Sequence, residues 1–168
     1  MNLRIGIVLG STREGRASED VGKWVLENAK TTEGVSFEIV DIKGFDLPFL
    51  GTTEDMSNVG KWNAKLNELD GFVFVVAEYN HSMTAALKNA LDSARDAWNN
   101  KSAGIVSYGS AGGARAAEHL RGVLSELQVA SVRTHVLLSL FDDFENYKFK
   151  PRDIHKNNLD MLFSQVND

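Results

Sequence analysis

Apolar positions along the chain alternate between two rhythms. Leu3-Arg4-Ile5-Gly6-Ile7-Val8-Leu9 reads as a short apolar strand stopped by Gly10. The next apolar set, Val21, Trp24, Val25 and Ala29, recurs at spacings of three and four, the period of one helix face. Val35 to Asp41 alternates apolar and polar residues, as a half-exposed strand does. Lys43 to Asn58 holds Gly44, Pro48, Gly51, Thr52 and Thr53 and predicts a long surface loop, after which Val59, Trp62, Leu66 and Leu69 mark a second helix. Phe72 to Ala77 is apolar without a break, the pattern of a strand covered on both faces. Ser82 is placed to cap the next helix, with Leu87, Ala90, Leu91, Ala94 and Trp98 on its buried face. Ala103 to Tyr108 gives a fourth strand, and Ala117, Leu120, Leu124 and Leu127 line a fourth helix. A fifth strand lies within Val129 to Leu140, and Pro151 suits the first turn of a last helix carrying Leu159, Leu162, Phe163 and Val166.

Strands alternating with helices predict an α/β fold with parallel pairing. The most economical arrangement is a three-layer, doubly wound parallel sheet of order 2-1-3-4-5, the flavodoxin-like topology, as a single domain over residues 1–168. In such a sheet the loops after strands one, three and four open at the same edge, where ligands bind.

Composition narrows the chemistry. The chain has no cysteine, which excludes disulfides, thiolate nucleophiles and cysteine-ligated metal clusters. A formal net charge of −5 argues against non-specific nucleic-acid or anionic-membrane binding. The N-terminus lacks the order of a signal peptide, and no apolar run approaches the roughly 20 residues of a membrane helix. A cytoplasmic protein without nucleic-acid or membrane partners is the expectation.

Each loop at that edge carries candidate binding groups. The first, Gly10-Ser11-Thr12-Arg13-Glu14-Gly15-Arg16-Ala17-Ser18, offers two guanidinium groups, three hydroxyls and the free amides of a helix starting near Ser18. Helix N-termini attract anions, and arginine adds forked hydrogen bonds suited to phosphate. Glu14, Glu19 and Asp20 dilute the positive field. Counting G-x-G-x-x-G from Gly10, Thr12 stands where the middle glycine is required, so this is not a dinucleotide fingerprint. Asp41 therefore reads as a strand-end or turn residue rather than a ribose ligand, and a terminal monophosphate is the better ligand for the loop.

The second loop is Glu78-Tyr79-Asn80-His81-Ser82, in which main-chain groups and the Asn80 amide could read a planar heterocycle beside the Tyr79 ring. His81, a lone loop histidine, reads as a solvated polar residue rather than a required catalyst. The third, Ser107-Tyr108-Gly109-Ser110-Ala111-Gly112-Gly113-Ala114-Arg115, has three glycines that let backbone amides approach a ligand closely. Taken singly, each loop also reads as an ordinary strand-to-helix turn. No triad or metal cluster is evident, since Glu118 and His119 are adjacent on a helix and point to different faces.

At these residues the chain resembles the NADPH-dependent FMN reductase family, which includes FMN-bound quinone, azo-compound and chromate reductases. The resemblance rests on Gly10-Ser11-Thr12-Arg13 with Gly15-Arg16, Asp41 with Leu47-Pro48, and Trp62 with Asp70-Gly71 leading into Glu78-Tyr79-Asn80. It continues with Leu87-Lys88-Asn89-Ala90 and Asp92, then Tyr108-Gly109, Gly112-Gly113 and Arg115-Ala116, over about residues 3 to 125. It implies a flavodoxin-like fold, a homodimer or homotetramer, and bound FMN with NADPH or NADH as hydride donor and a small-molecule electron acceptor. It also implies that Ser11, Arg13, Arg16 and Ser18 hold the FMN phosphate, that Glu78, Tyr79 and Asn80 line the flavin ring and ribityl chain, and that Ser107, Tyr108, Gly109, Gly112 and Gly113 close the pyrimidine side. Two departures touch one loop: Ala77 stands where the family usually has Pro, and Ser82-Met83-Thr84-Ala85 replaces a frequent Pro-Gly pair. Without that fixed φ, a looser loop and lower flavin affinity are expected.

With FMN bound, hydride would pass from nicotinamide to flavin N5 and on to a quinone, azo, nitro, metal-oxyanion or free-flavin acceptor, with no protein nucleophile required. The rival reading is a flavodoxin-like electron carrier or regulatory protein without nicotinamide activity. Arg13 and Arg16 favour the reductase, because carriers of that kind usually hold phosphate in a hydroxyl-rich loop without basic residues.

Overall fold

The computed structural model describes residues 2–29 and 34–168. Its main sheet contains β1 (Leu3–Leu9), β2 (Val35–Asp41), β3 (Gly71–Ala77), β4 (Lys101–Gly109) and β5 (Val129–Ser139). All neighbours pair in parallel and the order is β2-β1-β3-β4-β5, as the strand–helix alternation predicts. The connecting helices are α1 (Ser18–Ala29), α2 (Ser57–Asn67), α3 (Ala85–Asp92) and α4 (Ala114–Glu126), and α5 (Ile154–Asn167) closes the described chain. A two-stranded antiparallel hairpin, β6 (Phe144–Glu145) with β7 (Lys148–Phe149), sits between β5 and α5.

Side-chain alternation along β3 shows why its sequence is uniformly apolar. Phe72, Phe74 and Val76 join one core with Trp62, Leu87, Trp98 and Leu120 from the layer of α2, α3 and α4. Val73, Val75 and Ala77 join the other with Val21, Val25, Leu159 and Phe163 from α1 and α5. On the first side Trp62 and Trp98 meet edge to face at 5.8 Å, and their indole Nε1 atoms donate to the Ala90 and Leu91 carbonyls at 2.8 and 3.1 Å. Each buried indole N–H is thereby satisfied. Because α1 leaves β1 on one face and α3 leaves β3 on the other, a crevice opens at the carboxyl ends of these neighbouring strands.

Four sequence expectations change. The helix expected to run through Trp98 ends at Asp92, where the Ser93 hydroxyl donates back to the Asn89 carbonyl at 2.7 Å and competes with the helix ladder. Ala94 and Trp98 stay buried on the same side through a 3-10 turn at Asp96–Trp98, so the apolar spacing survives the break. Thr84, not Ser82, caps α3: its hydroxyl accepts the Leu87 amide at 3.0 Å. The Lys43 to Asn58 loop contains the end of a 3-10 turn at Ile42–Phe45, with Ile42 buried and Phe45 and Leu47 packed on the core, and α2 begins at Ser57. Pro151 precedes α5 rather than entering its first turn, because Asp143 captures the backbone on both sides of it: Lys150 N donates to the Asp143 carbonyl and Arg152 N to its carboxylate, at 2.8 and 3.1 Å. Among the described residues no helix is long and apolar enough to cross a membrane.

Candidate functional site

The crevice holds a cavity of about 650 Å³. That lies within the roughly 300–1,000 Å³ of pockets that enclose small ligands. Its walls are the three loops singled out from the sequence and a fourth that was not.

Loop one, Gly10 to Ser18, is anchored at both ends. Gly10 N donates to Val75 O at 2.9 Å, and the Gly10 carbonyl accepts the Thr84 hydroxyl, which couples this loop to the cap of α3. Arg16 turns inward, only 8% exposed, and all five of its guanidinium N–H groups are used. Nη1 donates to the Ser11 carbonyl and Asp41 Oδ1 at 2.6 and 2.9 Å, Nη2 to Asp41 Oδ2 and Glu19 Oε1 at 2.5 and 2.8 Å, and Nε to Glu19 at 3.0 Å. Arg16 thus shapes the loop from beneath. Asp41 also accepts Lys43 N at 3.0 Å at the start of the 3-10 turn, in keeping with its reading as a strand-end and turn residue.

These pairs change the electrostatics expected from composition. Glu14 is engaged by Lys43 at 2.6 Å, and Glu19 and Asp41 by Arg16. Arg13 lines the cavity, is exposed, and has no side-chain hydrogen bond or ion pair among the described residues. The Ser18 hydroxyl, at the first residue of α1, is fully buried outside the cavity lining and lies against the Tyr108 hydroxyl. The Arg13 guanidinium and the amides at the N-terminus of α1 make a donor set suited to a phosphate dianion.

Loop two begins with Glu78, whose carboxylate faces away from an anion-binding role. It pairs with the Arg115 guanidinium and accepts the Arg115 and Ala116 amides at 3.1 and 3.4 Å, which caps the N-terminus of α4. Burial alone would raise its pKa, but these hydrogen bonds prevail and hold the carboxyl below the usual range. Tyr79 and Ser82 exchange backbone bonds at 2.8 and 3.0 Å across a two-residue turn with Asn80 at φ +45° and His81 at φ +73°. Positive φ at both central residues is the geometry of a type I′ turn, for which Asn is well suited. The turn, the Glu78–Arg115 pair and Glu78 N on Tyr108 O at 2.9 Å close this loop after Ala77, the last residue of β3. Tyr79 lines the cavity; Asn80 and His81 are exposed outside its lining, and Ser82 Oγ meets His119 Nδ1 at 2.9 Å.

In loop three, Tyr108 and Gly109 face the cavity, and burial pushes the Tyr108 hydroxyl up to about 12. Gly109 is required by close approach: a Cβ there would lie 2.9 Å from Glu78 Cβ. Gly113 has φ +73°, and a Cβ would meet Ser107 Cβ and Tyr108 N at 2.7 Å. Ser107 is fully buried and donates to the Gly112 carbonyl at 2.9 Å. Ser107, Gly112 and Gly113 thus build the turn behind the cavity, while Ser11, Arg13, Arg16, Glu78, Tyr79, Tyr108 and Gly109 line it.

The fourth wall comes from the segment after β5: Leu140, Phe141, Phe144, Asn146 and Tyr147. Leu140 N donates to Gly109 O at 3.0 Å, which joins this wall to loop three. Asp143, with its side chain fully buried, roots it. Its carboxylate accepts Ser139 N at 2.9 Å, Arg152 N at 3.1 Å and Nε at 3.0 Å, and lies 2.9 Å from His155 Nε2. Burial opposes ionisation, but the bonds from Arg152, Ser139 and His155 outweigh it and lower the pKa to about 2. Phe144 and Phe149 pack at 5.3 Å and continue to Tyr108 and Trp24 at 6.2 and 5.7 Å. The available sequence signal was Asn146-Tyr147 between Phe144-Glu145 and Lys148-Phe149, two short alternating pairs around an Asn-initiated turn.

A family model described as NADPH-dependent FMN reductase matches residues 3–143. The chain is similar to an NAD(P)H-dependent FMN reductase of Schizosaccharomyces pombe, 34% identical over 146 residues that cover 82% of this chain and 73% of the relative. It is also similar to a 2-hydroxy-1,4-benzoquinone reductase of a Burkholderia species, 34% identical over 137 residues, 77% of this chain and 74% of the relative. Among solved structures it resembles FerB, a flavoenzyme NAD(P)H:acceptor oxidoreductase from Paracoccus denitrificans, with a TM-score of 0.79. That alignment covers 98% of this chain and 96% of the other at 18% identity, so the likeness concerns the fold.

Proposed function

The chain belongs to the NADPH-dependent FMN reductase family, an FMN-dependent NAD(P)H oxidoreductase by that membership, and we propose that it reduces small quinone-class acceptors in the cavity at the β1, β3 and β4 loops. The observation that carries the reading is the donor set of loop one: Arg13, exposed on the cavity wall with no side-chain partner among the described residues, and the amides at the start of α1. These groups fit a phosphate monoester, and the remaining cavity volume fits a tricyclic ring. FMN held there would supply two-electron chemistry: overall, NAD(P)H and one solvent proton would convert a quinone to its hydroquinone and leave NAD(P)⁺.

The protein's part is positional. Arg13 and the first turn of α1 hold the phosphate, while Arg16 acts through the shape it gives loop one. Glu78 fixes the distance between β3 and α4 rather than touching the ring with its carboxylate. Tyr79 and the Tyr108-Gly109 backbone form ring walls, and Gly109's missing side chain lets its amide come close. The acceptor class draws support from the quinone reductase among the relatives.

Mixing the purified protein with FMN, then anaerobically with NADH or NADPH, tests this directly. Bound flavin should bleach with either nucleotide and recover its colour on addition of 1,4-benzoquinone. Absence of flavin binding at micromolar FMN would remove the enzyme reading. Bound flavin that neither nucleotide reduces would point to an electron carrier instead.

A further inference from the structure

Tyr147 is the second central residue of the β6–β7 turn. Its side chain is fully exposed, and its backbone sits in the left-handed region at φ +62°, next to Asn146 at φ +50°. Positive φ at both central residues is the geometry of a type I′ hairpin turn, as in loop two; Asn suits it, and a tyrosine is an uncommon choice there. Phe141, 78% exposed, stands on the same wall, and Tyr79, 39% exposed, on the wall formed by loop two.

The base of the hairpin is the opposite of mobile. The buried Asp143 carboxylate holds both of its flanks, and the Phe144–Phe149 pair roots it against Trp24 and Tyr108. The wall therefore presents bare aromatic rings on a fixed base, and those rings line the same cavity as Arg13 and loop one.

We propose that Tyr147, supported by Phe141, selects the acceptor: it favours planar rings, quinones above all, over compact hydrated oxidants such as ferricyanide. A planar ring that leaves water for the wall carrying Phe141 and Tyr147 gains stacking faces, and a hydrated anion gains nothing there for its dehydration. The inference rests on the reductase reading above and adds the residues that discriminate among its acceptors.

Glycine at 147 separates the ring from the fold, because it removes the side chain while relieving the positive φ. FMN-loaded Tyr147→Gly should therefore keep or raise its thermal midpoint. Its KM for 1,4-benzoquinone should rise about fivefold, the scale of losing one stacked aromatic face, while ferricyanide reduction stays unchanged. Binding of hydroquinone to the oxidised protein, read from flavin absorbance, should weaken by a similar factor. Tyr147→Phe should behave as the parent protein does. Equal shifts for both acceptors, or none for either, would overturn the proposal. A smaller species in sedimentation velocity with uniform loss of activity would place Tyr147 in a subunit contact and overturn it too. Failure of the parent protein to bind FMN or oxidise NADH would instead strike at the reductase reading, so the two failures are distinguishable.

Discussion

Loop one and the β6–β7 hairpin each hang from a carboxylate–guanidinium pair, but with the roles of the partners exchanged. In loop one the guanidinium of Arg16 is the buried member, 4% exposed, and Asp41 is 34% exposed. In the hairpin Asp143 is the buried member at 0%, and Arg152 is 49% exposed. The buried arginine keeps its charge at any working pH. The buried carboxylate keeps its charge only through its donors. What they hold differs as well: amides, hydroxyls and a guanidinium without a partner among the described residues in the one, exposed aromatic rings in the other. Two walls of one cavity can thus be fixed independently.

Replacing the buried acid should break this contrast most severely. Asp143→Ala leaves the Ser139 and Arg152 amides and His155 without their acceptor, with an expected loss of roughly 3 kcal/mol in urea unfolding. Asp41→Ala should lose clearly less, since Arg16 retains Glu19 and the Ser11 carbonyl. Equal losses would show that burial of the acid is not what distinguishes the two anchors.

Acid titration is expected to act next in size and on the same anchor. Asp143 has a folded pKa of about 2, well below the ordinary aspartate value, so its contribution is present above that ordinary value, is complete by about pH 5, and disappears as pH falls through 2. The linked stability is roughly 2 kcal/mol. Urea midpoints recorded between pH 5 and 2 should decline more steeply in the parent than in Asp143→Asn; parallel curves would refute the assignment.

Arg13→Ala addresses loop one without touching its anchor. FMN affinity should fall more than tenfold, above roughly 1.4 kcal/mol, by fluorescence titration, with the thermal midpoint of the FMN-free protein unmoved. Unchanged affinity would move the phosphate to other groups. The smallest expected effect belongs to Ala77→Pro, which should tighten FMN binding about two- to threefold by restricting the unbound loop. A weaker complex would indicate that loop two is already shaped by the Glu78–Arg115 pair and its tight turn.

The strand order was legible because β3 is apolar on both faces, and no other position in a five-stranded α/β sheet suits Phe72 to Ala77 so well. Loops one, two and three were legible because polar and glycine residues follow apolar runs. Long-range partners were not. Arg16 looked like a phosphate ligand until Asp41, 25 residues away, was seen to share its donors, and Glu78 looked like a ring contact until Arg115, 37 residues away, drew it to α4. Pattern along the chain reveals which groups can bind, whereas folding decides which are already bound. The hairpin escaped notice for another reason: two-residue strands are too short to establish a period, and Phe141, Phe144 and Tyr147 resemble scattered apolar residues of a loop.

The saturation of Arg16 has a consequence for how a ligand arrives. With every N–H of that side chain engaged by acceptors of the chain itself, loop one owes its curvature to bonds made at folding and would have little conformational freedom to surrender on capture. The entropy of shaping the loop is settled at folding. If Arg13 and α1 hold the phosphate as proposed, residence time and the form of the cradle are separate properties of the chain.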